Sequence, residues 1–68
     1  MKIQYNLQTD AMYIDLSKGK YSKTRKISDR ILVDEDSKGK VLGIEILDAK
    51  DTVAAFDPQQ AVIPVQSK

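Results

Sequence analysis

Apolar and polar residues alternate with a period of two through most of the first 47 positions, the pattern of strands with one buried face. "KIQYN" sets Ile3 and Tyr5 on one side, and "AMYIDL" sets Met12, Ile14 and Leu16 opposite Tyr13 and Asp15. "YSKTRKI" is a weaker, polar strand, whereas "RILVDED" and "KVLGIEIL" are rich in Ile, Val and Leu. Turn residues separate them: "LQTD", "SKGK", "SD" and "SKGK" again. Each SKGK reads as a type I turn closed by a glycine bulge. Leu16 or Asp36 takes the first position, and Gly19 or Gly39 takes the left-handed one. The reading is a β-rich α+β fold built on an antiparallel five-strand meander.

With Ser28-Asp29 as a two-residue turn, this register assigns faces. Met12, Ile14, Leu16, Thr24, Ile31, Val33, Val41 and Gly43 fall on one face, mostly apolar and expected to be the core. Tyr13, Asp15, Tyr21, Lys23, Arg25, Leu32, Asp34, Leu42, Ile44 and Ile46 fall on the other, with Lys23 opposite Asp34 as a cross-strand pair. The last strand is then apolar on both faces, and Leu42, Ile44 and Ile46 need a cover.

The alternation stops after Leu47. "DAKDTVAAFDP" predicts a short helix within 48–57, about residues 49–56, with Asp48 as its N-cap and Pro58 beyond its end. Val53 and Phe56 are placed to lie on Leu42, Ile44 and Ile46. Residues 58–68, "PQQAVIPVQSK", form an extended tail that Pro64 confines to an edge. One small domain over 1–68 is expected, with the meander in 1–47.

Composition narrows the chemistry. A 68-residue chain has a thin stability margin, and with no Cys and no His it has neither a disulfide nor a Cys/His zinc site to support it. An efficient sheet or a partner must serve instead. Eleven basic and ten acidic residues give a net charge of +1, which favours neither general nucleic-acid binding nor an acidic partner. No signal peptide or membrane span is expected, so a cytoplasmic protein is the default.

"DEDSKGKVLGIE", residues 34–45, spells most of an EF-hand calcium loop. Lys38 stands at the fifth position, where an oxygen ligand is required, and both flanks alternate like strands rather than helices. The hairpin register also puts Asp34 and Glu45 on opposite faces. No metal and no cofactor are expected.

The stretches "YN…DAMYIDLSKGK" and "ILVDEDSKGKVLGIEILDA" resemble a family of small prokaryotic proteins known as domain of unknown function 2283. The resemblance covers about residues 3–50, and "GIEIL", Gly43 to Leu47, is its most specific part. It implies a compact β-rich domain and no particular activity. Members often look like one half of a two-gene toxin–antitoxin pair. Family members often have an acidic third strand, whereas here residues 17–30 are basic.

Catalysis is not expected, because no nucleophile is paired with a base. Nucleic-acid contact has one supporting feature, the basic ribbon of Lys18, Lys20, Lys23, Arg25 and Lys26 with Tyr21 inside it. A solvated edge strand explains that ribbon more simply, since the total charge is near neutral and no RNP, KH or helix-turn-helix motif is present. Protein association, with a partner or as a homodimer, leads. Its expected interface is Leu42, Ile44 and Ile46 with Phe56 as an added anchor. Gly43, in mid-strand, points to close packing rather than to a ligand.

Overall fold

The computed structural model describes residues 1–54, 56 and 57. Five strands form one antiparallel sheet: β1 (Lys2–Asn6), β2 (Ala11–Asp15), β3 (Lys23–Ser28), β4 (Ile31–Glu35) and β5 (Val41–Ile46). One helical turn follows, α1 (Ala49–Thr52). The expected tail at 58–68 lies outside the described residues.

The strands and the helix are those expected, but their order is not that of a meander. The sheet runs β1-β2-β5-β4-β3, so β2 pairs with β5 and not with β3. Polarity explains the arrangement. β5, rich in Val, Leu and Ile, takes the centre, with a strand paired along each edge. β3, with Lys23, Arg25 and Lys26, takes an edge and is exposed along its whole length. Charged side chains are tolerated at an edge and discourage pairing with other chains.

The two SKGK copies therefore do different things. Residues 36–40 make the expected turn: Gly39 is left-handed at φ 81°, and its N–H donates to the Asp36 carbonyl at 3.1 Å. Residues 16–22 make no hairpin. They cross the end of the sheet from β2 to β3, and Gly19 is not left-handed. The N–H groups of Leu16 and Ser17 both donate to the Leu42 carbonyl, at 2.9 and 3.1 Å.

Two bulges shift the register from that expected. The β3–β4 turn is Asp29-Arg30 rather than Ser28-Asp29, and Ile27 is left unpaired between Lys26↔Leu32 and Ser28↔Ile31. In β5, Leu42 is the extra residue between Glu35↔Val41 and Asp34↔Gly43. A one-residue slip moves every later side chain to the other face. Ile44 therefore stands beside Ile14 and Val33, and Ile46 beside Met12 and Ile31. Thr24 and Gly43 move to the polar face, and Lys23 and Arg25 move off it. Lys23 faces Glu35 instead of Asp34. Asp34 and Glu45 share the polar face, so the expectation that they lie on opposite faces is also corrected.

The result is an amphipathic sheet. Ile3, Tyr5, Met12, Ile14, Ile31, Val33, Ile44 and Ile46 line one face. Gln4, Tyr13, Asp15, Thr24, Lys26, Asp34 and Glu45 line the other.

The helix is shorter than expected. Asp48 precedes it in a left-handed conformation at φ 50°, and its side chain makes no capping bond. Its carboxylate pairs with Arg30 at 3.5 Å. Asp10 does the capping from the β1–β2 turn: its carbonyl accepts the Ala49 N–H at 2.9 Å, and its carboxylate accepts the Lys50 N–H at 3.3 Å. This contact fixes the start of α1 to the far end of the sheet and leaves Ala49 fully buried.

Candidate functional site

The apolar face is the first candidate. Among its apolar residues only Met12 and Val33 are buried, while Ile3, Ile14, Ile31, Ile44 and Ile46 are half-buried. No large side chain among the described residues is completely shielded from water. Cover comes at one end, where Phe56 meets Tyr5 edge-on with ring centroids 5.1 Å apart. Such an edge-to-face contact adds about 0.5–1.5 kcal/mol beyond burial. Phe56 thus packs against Tyr5 of β1, a contact that the sequence reading did not foresee.

The expected interface residues are therefore separated. Ile44 and Ile46 belong to the apolar face itself. Leu42 is buried at the bulge, and its Cδ2 lies where a side chain on Gly19 would go. The three are not a surplus layer awaiting a cover: the bulge at Leu42 returns Ile44 and Ile46 to the apolar face and leaves Gly43 and Glu45 on the other.

At one corner of the apolar face Glu35 is buried at 4% exposure. Arg25 lies across it, donating from Nε at 2.8 Å and pairing through Nη2 at 2.7 Å, both to Oε2. A carboxylate taken from water needs such a partner. Arg25 is thereby committed to structure.

That commitment bears on the basic ribbon. Lys18 and Lys20 are exposed on the crossover. Lys23 and Arg25 lie on the apolar-face side of β3, and Lys26 lies on the polar side, 3.3 Å from Asp29. The five cations do not form one surface, and two of them already hold carboxylates.

The polar face carries a hydrogen-bond chain that alternation alone did not reveal. Tyr13 donates to Asp34 Oδ2 at 3.2 Å, Thr24 donates to Asp34 Oδ1 at 2.7 Å, and the Tyr21 hydroxyl lies 2.7 Å from that of Thr24. Tyr13 reaches Asp34 by lying across β5 where Gly43 has no side chain; a Cβ there would collide with its phenol. Gly43 is thus a close-packing glycine: the Tyr13 phenol lies where its Cβ would go, and the carbonyl of Ile14, one of the expected neighbours, would stand 3.0 Å from that Cβ. The legible signal was a glycine placed among large apolar residues.

Neither linked phenol is an activated nucleophile. Burial, the Asp34 hydrogen bond and the negative charges of Asp34, Asp15 and Glu45 push the Tyr13 pKa up. The hydrogen bond to Asp10, at 2.6 Å, chiefly pushes Tyr5 up to about 12. Both stay protonated at neutral pH and act as donors.

Among the described residues, no three metal-ligating side chains cluster, and no helix is long and apolar enough to cross a membrane. Asp36, first in the expected turn, spends its carboxylate on the N–H groups of Lys38 and Lys40, at 2.8 and 2.9 Å.

No curated protein and no solved structure matches the chain significantly. The model of one family, described as protein of unknown function (DUF2283), matches residues 2–50, which carry all five strands, and the chain belongs to that family.

Proposed function

We propose that this protein is a small non-catalytic interaction module whose apolar sheet face is covered by a protein partner. One observation carries the reading: five isoleucines on that face are only half-buried. A contiguous apolar face of this kind is a binding surface or an aggregation liability. One subunit of a two-protein system, such as an antitoxin covering its partner's functional surface, is a specific form of this proposal, and a cytoplasmic setting goes with it. The nucleic-acid reading has less support, because its cations are divided between two faces and a loop.

The test is a tagged pull-down from native lysate, treated with nuclease and read by mass spectrometry, with wild type beside Ile44→Ser and Ile14→Ser. A stoichiometric protein that survives nuclease and is lost with variants that still melt cooperatively is the expected result. Recovery of nuclease-sensitive material alone contradicts the proposal.

A further inference from the structure

Among the described residues the sheet ends in two unpaired edges, and they differ in charge. β3 offers Lys23, Arg25 and Lys26; β1 offers Lys2 as its only charge. We propose that β1 pairs antiparallel with β1 of a second copy of this chain, about a two-fold axis through Gln4. This junction lies apart from the apolar-face proposal and does not depend on what covers that face.

The register is the argument. Full overlap of the five-residue strand sets Gln4 against Gln4, Ile3 against Tyr5 and Lys2 against Asn6. No like charges meet. Residues of the same alternation class face each other, so the axis stands perpendicular to the sheet and the two apolar faces lie on the same side. Met1 and Leu7, the most exposed large apolar residues described at 61% and 70%, flank the strand. The same register carries Met1 of one copy toward Leu7 of the other. β3 fails both tests. Full overlap of its six residues opposes Arg25 to Lys26 and joins an apolar face to a polar one. Like charges directly opposite are destabilising.

Two five-residue strands make a small junction beside the roughly 1,600 Å² of a standard complex, so a concentration-dependent dimer is expected. Gln4 is exposed and therefore replaceable without loss of fold. Gln4→Lys sets two ammonium groups across the axis, and Gln4→Glu sets two carboxylates there. The test is sedimentation equilibrium of the full chain over a concentration series. Wild type should dimerise, each variant alone should dissociate at least about tenfold more readily, and an equimolar mixture of the two should recover the dimer. Circular dichroism checks that both variants keep the fold. A wild type that is monomeric throughout overturns the inference. So does a dimer indifferent to both charges; if Ile44→Ser abolishes that dimer, the apolar face is the contact and the edge is not.

Discussion

The same four residues, Ser-Lys-Gly-Lys, occur twice and fold in two ways. At 37–40 they close a hairpin; at 17–20 they run across the end of the sheet. The residue in front differs. Asp36 gives a carboxylate that collects two backbone N–H groups of the turn, as aspartate at a turn's first position is suited to do. Leu16 has no acceptor to give, and its own N–H is held by the Leu42 carbonyl. The glycines differ accordingly. Gly39 is needed for its conformation and has open space where a side chain would point. Gly19 has a neighbour instead: a Cβ would stand 2.7 Å from Leu42 Cδ2, so the Leu42 side chain would have to shift. A turn motif is therefore a motif only together with its flanks. When the flank fails, the chain is free to cross, and the crossing puts β5 in the centre.

Substitutions separate the two roles. The largest effect is expected from Leu42→Ala, which removes the buried residue under the crossover and should cost about 2–5 kcal/mol in chemical denaturation. Gly43→Val displaces Tyr13 from its path to Asp34 and should cost about 1–3 kcal/mol, with the Tyr13 fluorescence environment changed. Gly39→Ala should cost about 1–2 kcal/mol, the usual penalty for a side chain in the left-handed region. Gly19→Ala should be rescued by Leu42→Val, whereas Gly39→Ala should not; a rescue of both would dissolve the distinction. Asp36→Ala should cost about 1 kcal/mol and couple non-additively with Gly39→Ala, as neighbours in one turn do.

The smallest effect lies at the other end of the sheet and involves neither copy. Tyr5 donates to Asp10, and its pKa is pushed from the ordinary 10.0 up to about 12. The folded chain holds this proton more tightly than the unfolded chain. Its contribution to stability is thus complete below pH 10 and is lost as the pH rises toward 12. Tyr5→Phe should flatten that part of a melting-temperature profile.

Much of this was legible from residue order. Five strands, the 36–40 turn and the break after Leu47 all follow from alternation and turn chemistry. Met12 and Val33 were recognisable as core, and Ile14 and Ile31 as members of the apolar face, by the same argument. The strand order was not, because antiparallel pairing is non-local and alternation does not name a neighbour. The run of apolar residues in β5 was the available sign, and it fits a central strand as well as a covered one. The faces of Ile44 and Ile46 were lost to the bulge at Leu42, since one unpaired residue inverts all that follows. Asp48 fits an N-cap by type, yet Asp10, distant in sequence, meets the helix first.

Backbone nuclear Overhauser contacts of the labelled protein test the central claim, that the first SKGK crosses and places β5 between β2 and β4. Contacts joining Ile14 to Ile44 and Met12 to Ile46 are predicted. Contacts joining β2 directly to β3, around a hairpin at Gly19, would contradict it.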